Sequence, residues 1–177
     1  MGMTIKAGEI SREAFAVFGD VILLEGARTF SCNQGRAVRH HDLAPHVDVT
    51  DEGGRAGLSI YRSVASPLPF EVMVMERHPL GSQIFIPMTT DPQSRYLIAV
   101  APAGDFRLEA VRAFVVRGQT GINYFKGVWH LPIVALDKPM DFLTVDRIGS
   151  GSNLDEVRIA ADLHIEVGDQ HLVGAHG

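Results

Sequence analysis

A mainly β fold, closed as a small barrel or double-sheet sandwich, is predicted by three features of the chain. Short apolar or alternating runs recur along its length, Pro, Gly, Asp or Asn turns separate them, and no intervening stretch is long and periodic enough for a helical crossover. The first element is "SREAFAVFGD" (11–20). Ser11 can cap it, Phe15 and Phe18 are three apart on one face, and Gly19 can stop it, so a short amphipathic helix is expected. Strand-like runs follow: "VILLE" (21–25), "LSIYR" (58–62), "FEVMVME" (70–76), "QIFIP" (83–87) and "RYLIAVA" (95–101). Four more come after them: "RAFVV" (112–116), "INYF" (122–125), "WHLPIVAL" (129–136) and "DFLTVD" (141–146). Between them lie turn-forming pieces such as "SPLP", "TTDPQS", "PAGD" and "RGQTG". "SNLDEVRI" (152–159) is expected to form a last helical turn or two. With 177 residues and no linker or internal repeat, the chain is expected to be one domain over 1–177, with its core in about 3–166 and a frayed tail at 167–177.

Composition narrows the function. Hydrophobic residues at 46% and charged residues at 21% are globular values and argue against disorder. Sixteen Lys and Arg against twenty-one Asp and Glu leave a net charge of −5, with the basic residues scattered, so neither nucleic acid nor an anionic membrane surface is the expected partner. No apolar run is long enough to span a bilayer, and "MGMTIKAGEISRE" lacks the basic-then-apolar layout of a signal peptide, so a cytoplasmic protein is expected. The single Cys32 excludes an internal disulfide and a thiolate-rich zinc site.

Two stretches carry chemistry. In "ERHPLGSQIFIP" (76–87), strand alternation puts Glu76 and His78 on one face and Arg77 on the other; Gly81 gives a turn and Gln83 opens the next strand. In "GINYFKGVWHLP" (121–132), Gly127 gives a turn, and Trp129 and His130 start a strand on opposite faces. A small barrel with ionisable groups facing inward can hold one small ligand. Duller readings accompany each choice. His78 and His130 could be strand-end residues satisfied by carbonyls, Lys126 a solvated turn residue, and Arg77 half of a structural ion pair. Asp146 and Arg147 could form a buried pair or a subunit contact.

These spacings resemble the metal-binding cupins, whose halves carry H-x-H-x(3–4)-E and G-x-x-H. Here the matching words are E-x-H-x(4)-Q at Glu76, His78 and Gln83, and G-x-x-H from Gly127 to His130. The resemblance implies a cupin-like double-stranded β-barrel, or jelly roll, with short peripheral helices. It also implies a metal set of Glu76, His78, Gln83 and His130. An amide oxygen replaces one usual ligand, so the ion implied is a labile divalent one such as Ni²⁺ or Mn²⁺.

Taken together, "AFAVFGDVI" (14–22), "NQG" (33–35), "ERHPLGSQIFIP", "INYFKGVWHLP" (122–132) and "DFLTVDR" (141–147) resemble the ureidoglycolate lyase family of allantoin catabolism, in the family's order. The resemblance implies a cytoplasmic homodimer that cleaves (S)-ureidoglycolate to glyoxylate and urea. Cleavage of this carbinolamide needs a base for the hydroxyl proton, an acid for the departing nitrogen and a group to hold the carboxylate. His78 and His130 suit proton transfer, and Glu76 can orient an imidazole, act as base or bind metal. Gln83, Ser82 and Asn33 can hydrogen-bond the substrate, Tyr124 can line the cavity, and Arg62, Lys126 or Arg147 can hold the carboxylate. Two other classes compete: an amidohydrolase releasing ammonia from the same substrate, and a non-enzymatic cupin that senses a small carboxylate.

The remaining polar features call for less. His40 and His41 in "RHHD" face apart on an extended chain and are expected at the substrate mouth or on a surface loop. Cys32 has no identifiable partner, and the tail residues His171 and His176 are assigned no role.

Overall fold

The computed structural model describes residues 2–168; of the tail expected at 167–177, Val167 ends a strand paired with Ala7, and 169–177, with His171 and His176, lie outside the described residues. The chain opens with strand β1 (Met3–Glu9), a single-turn helix α1 (Arg12–Phe15), β2 (Gly19–Ile22), and a hairpin of β3 (Arg28–Cys32) and β4 (Ala37–His41). It continues through β5 (Arg55–Ser63), β6 (Phe70–Glu71), β7 (Val74–Arg77), β8 (Gln83–Pro87) and β9 (Arg95–Ala101). The second half contains β10 (Arg112–Arg117), β11 (Gly121–Tyr124), β12 (Trp129–His130), β13 (Val134–Ala135), β14 (Met140–Ile148), β15 (Asp155–Arg158) and β16 (Leu163–Val167).

Two sheets face each other. The larger runs β15-β7-β12-β9-β10-β1-β16-β6, with β13 also on β9, and the smaller runs β2-β11-β8-β14-β5. Phe85, Ile122, Tyr124 and Phe142 of the smaller sheet pack against Tyr96, Ile98, Val100 and Phe114 of the larger in one core. The other face of β9 presents Leu97, Ala99 and Ala101 to a second core, closed by Leu163, Ile165 and Val72 where the larger sheet curls over itself. Both faces of β9 are therefore buried, which is why "RYLIAVA" reads as an unbroken apolar run. The result is a mainly β, cupin-like barrel with few helical residues.

Several elements differ from expectation: "WHLPIVAL" splits into β12 and β13, and β1, β3, β4 and β16 lie in stretches with no expected strand. The helix over 11–20 shrinks to one turn, capped by the Ser11 hydroxyl, which accepts from the Ala14 N–H at 3.1 Å. One turn is not stable alone. Complete burial of Phe15 contributes about 2 kcal/mol to holding it. Gly19 does not end the helix but opens β2, where any side chain would collide with the Asn123 carbonyl of the paired strand. "FEVMVME" splits into β6 and β7, because Val72 turns into the second core and donates its N–H to the Leu163 carbonyl at 2.9 Å. The segment expected as a helical turn at 152–159 is instead β15, paired antiparallel with β7 and packing Val157 on the second core. A free edge on β7 outweighs the weak local helical preference of that stretch.

Candidate active site

The register of the strands builds the site. His130 on β12 lies directly opposite Glu76 on β7, so both point into the barrel, while Trp129 and Arg77 point outward together. The Arg77 guanidinium stacks over Trp129 at 4.6 Å and bonds Asp155 at 2.8 Å. His78 follows β7, and its ring centroid lies 5.2 Å from that of His130. One ligand atom from each of Glu76, His78 and His130 lies within 4.8 Å of the others.

Carbonyls set the state of both imidazoles. His78 Nδ1 is 2.7 Å from the Asn153 carbonyl oxygen, and His130 Nδ1 is 3.0 Å from that of Val128. A carbonyl only accepts, so each Nδ1 carries a proton and each ring turns its Nε2 inward. Both Nε2 atoms are buried without a hydrogen-bond partner, and His130 Nε2 stands 3.5 Å from a Glu76 carboxylate oxygen. Burial pushes Glu76 upward, but the His130 imidazole beside it, and then the charge of His78, outweigh burial and leave the carboxyl below its usual range. Burial, reinforced by the charge of His130, holds His78 below its ordinary value.

The smaller sheet supplies the opposite wall. Gln83 and Tyr124 are paired across β8 and β11, both buried, with the amide oxygen and the phenol oxygen unpartnered. The Tyr124 ring is stacked on His130, with centroids 4.3 Å apart and planes 13° off parallel. Burial keeps its phenol protonated by raising the pKa well above the ordinary value. On β14, Thr144 and Asp146 face inward across from Ser59 and Gly57 of β5, and the Thr144 hydroxyl is also buried and unpartnered. Sequence reading did not assign Thr144 to the site; the alternation of "DFLTVDR" from core-facing Phe142 places it there.

Other expected site residues are not brought to this cluster. Arg62 points to the outer face and forms a two-point pair with Asp141, both bonds at 2.9 Å. Lys126 Nζ is held by Asp48 at 2.8 Å and Asp51 at 2.7 Å. Arg147 is buried on the side opposite Asp146, donating to the carbonyls of Asp51 at 2.8 Å and Ser150 at 2.7 Å. Its stem fills the space left by Gly81, where a Cβ would be 2.6 Å from that of Arg147. Ser82 is buried beside Gln83 and fastens the 46–51 loop, with its Oγ accepting from the Asp48 N–H at 2.9 Å. Asn33 is exposed in the turn of the β3–β4 hairpin. His40 and His41 sit on β4, where His41 packs edge-on against Phe30. A separate cleft of about 670 Å³, lined by Arg12, Asp20, Arg28, His41 and His46, lies outside the barrel beyond Asn123. Among the described residues, no helix is long and apolar enough to cross a membrane.

The amide oxygen of Gln83 and three inward-facing acceptors suit a divalent cation with nitrogen and oxygen ligands. Comparison with known proteins follows the same words. A family model described as ureidoglycolate lyase matches residues 2–166. A ureidoglycolate lyase of Burkholderia cepacia is 48% identical over 173 residues, covering 98% of this chain and 96% of the relative. One from Burkholderia mallei (strain NCTC 10229) is 49% identical over 160 residues, 90% of this chain and 92% of the relative. One from Pseudomonas syringae pv. syringae (strain B728a) is 47% identical over 148 residues, 83% of this chain and 85% of the relative. With a matched family model over nearly the whole described barrel and relatives this similar along most of their length, the chain belongs to the ureidoglycolate lyase family.

Proposed function

We propose that the inward cluster of Glu76, His78 and His130 is where this chain, as a ureidoglycolate lyase, cleaves ureidoglycolate to glyoxylate and urea. The observation that carries the site assignment is the convergence of one carboxylate and two inward-facing Nε2 atoms, with each imidazole fixed by a carbonyl behind it. The reaction moves one proton from the carbinol hydroxyl to the nitrogen of the departing urea while the C–N bond breaks and the carbonyl of glyoxylate forms. The 3.5 Å contact of Glu76 and His130 supports these two as the couple that takes the first proton and returns it to nitrogen. Tyr124 holds the His130 ring face-on, and its neutral hydroxyl can donate to a substrate oxygen.

As the alternative to direct proton transfer by Glu76 and His130, these two residues and His78, with Gln83 Oε1 as a fourth ligand, would hold a divalent ion such as Ni²⁺ or Mn²⁺. When bound, the ion supplies Lewis-acid polarisation of substrate oxygens. We also assign the outer face of the smaller sheet, with exposed Leu58 and Ile60 beside Leu143 and Val145, to a homodimer contact in a cytoplasmic enzyme.

The test is product analysis with chelator-treated protein and fresh ureidoglycolate, with and without added Ni²⁺ or Mn²⁺. Equal urea and glyoxylate are expected; ammonia in place of urea would move the reaction to amide hydrolysis. His78→Ala and His130→Ala are each expected to lower turnover by ~10² to 10⁴-fold with the fold retained by circular dichroism. Near wild-type rates in both would remove the cluster from the chemistry.

A further inference from the structure

A second carboxylate faces the same cavity. Asp146 follows the inward parity of β14 from Phe142 and Thr144 and lies opposite Gly57 of β5. Each of the carboxylates that anchor the barrel's surface has a basic partner: Asp141 has Arg62, Asp155 has Arg77, Asp137 has Arg95 and Asp48 has Lys126. Half-buried Asp146 has neither a hydrogen bond nor an ion pair among the described residues. Its sequence neighbour Arg147 cannot serve, because strand alternation sends that guanidinium to the other face and into the loop carbonyls. The facing residue Gly57 carries no side chain; the space its Cβ would take is filled by the Ile148 side chain, with Asp146 Oδ1 3.3 Å away.

We propose that Asp146 is a specificity-determining residue that binds the N–H donors at the urea end of the substrate. The proposal rests on the lyase reading. An inward carboxylate without a protein partner is left to water, which a ligand bearing donors would replace. Ureidoglycolate has two ends of opposite demand. Its hydroxyl and carboxylate oxygens suit the Glu76–His78–His130 end, as a proton donor or through a cation. Its ureido group offers adjacent N–H and NH₂ donors, spaced for the two oxygens of one carboxylate as guanidinium donors are. With Val145 of β14 opposite Ile84 of β8, the register carries Asp146 to the level of Gln83, on the wall that faces the cluster. A substrate spanning the gap would put its C–N bond between the two ends. Asp146 also gives the site a reason to reject hydroxy acids that lack N–H groups, since binding one would leave the carboxylate desolvated and unpaired.

The experiment compares wild type with Asp146→Asn and Asp146→Ala, measuring competitive inhibition by urea and by glyoxylate, KM for ureidoglycolate, and thermal unfolding. Urea inhibition is expected to weaken, and KM to rise, by about 10-fold or more in both variants. Glyoxylate inhibition should change by less than about 2-fold, since its site is elsewhere, with melting temperatures like wild type. Broadening of ¹⁵N-urea and ¹³C-glyoxylate resonances on the proteins reads the same selectivity without turnover. Urea binding retained in both variants, or urea and glyoxylate lost together in folded variants, would overturn the assignment. Failure of the lyase reading gives a different result: wild-type protein that forms no urea and glyoxylate at all.

Discussion

At the scale of single residues, the site is set by which atom of each ring is occupied behind it. Two carbonyls fix the His78 and His130 tautomers, and the ring of Tyr124 fixes the tilt of His130. The Tyr124 hydroxyl has no partner, so in the free protein it is a buried polar group without compensation. Removing it relieves that cost. Tyr124→Phe keeps the stack and is expected to melt at or above the wild-type temperature while kcat/KM falls by about 10-fold, the pattern of a group kept for function at the expense of stability. A calorimetric melt and a urea-release assay check both halves; a lowered melting temperature with unchanged kcat/KM would make the hydroxyl structural. Much of this residue pattern was legible in the sequence. Strand alternation alone separates Glu76 and His78 from Arg77, and His130 from Trp129. The cations were not legible, because an arginine looks the same whether it meets a substrate or a carbonyl. Arg147 illustrates the gap: one of its partners, the Asp51 carbonyl, belongs to a loop nearly a hundred residues earlier, which only the folded chain brings near.

At the scale of elements, register decides what faces the cavity and what faces out. β14 is flanked by β5 and β8, so its inward side carries Phe142, Thr144 and Asp146, and its outward side carries Leu143 and Val145. The runs "QIFIP" and "RYLIAVA" were legible as strands because they are apolar on both faces. The β3–β4 hairpin and β15 were not, since their residues are mostly exposed and their pairing is set by a partner strand rather than by their own pattern. On the outward face of β5, beside β14, two apolar side chains stay largely open, with Leu58 71% and Ile60 52% exposed. Monomers rarely leave adjacent strands so, and a closed twofold contact would cover them. The double variant Leu58→Glu/Ile60→Lys is expected to convert a dimer to a monomer in sedimentation equilibrium without unfolding the barrel. Wild-type protein that sediments as a monomer would remove this face from any self-contact.

At the scale of the whole molecule, ion pairs between distant segments tie the ends of the barrel together, and they make its stability depend on pH in a definite direction. Arg62–Asp141 joins β5 to β14, Arg95–Asp137 joins β9 to the turn before β14, Lys138–Asp91 joins two turns, and Lys126–Asp48 fastens the 46–51 loop to the end of β11. In each, the hydrogen bond from the basic partner is the largest influence and holds the carboxyl below its ordinary value. A carboxyl whose pKa is lower when folded binds fewer protons in the native state than in the unfolded one. Its contribution is therefore complete above the unfolded value of about 4 and is lost as pH falls through that value and below. These pairs are largely exposed, so each contributes little and the effect lies in their sum. The melting temperature is expected to decline modestly from about pH 6.5 to 5, where buried His78 binds fewer protons folded than unfolded, and to fall further below about pH 4 as these carboxyls protonate. About 1 M salt should flatten that fall, because screening weakens exposed pairs most. A thermal-melt series across pH at low and high salt measures both. A melting temperature that stays level down to about pH 3 would mean that the barrel is held by its two apolar cores alone, with the ties between its loops contributing nothing.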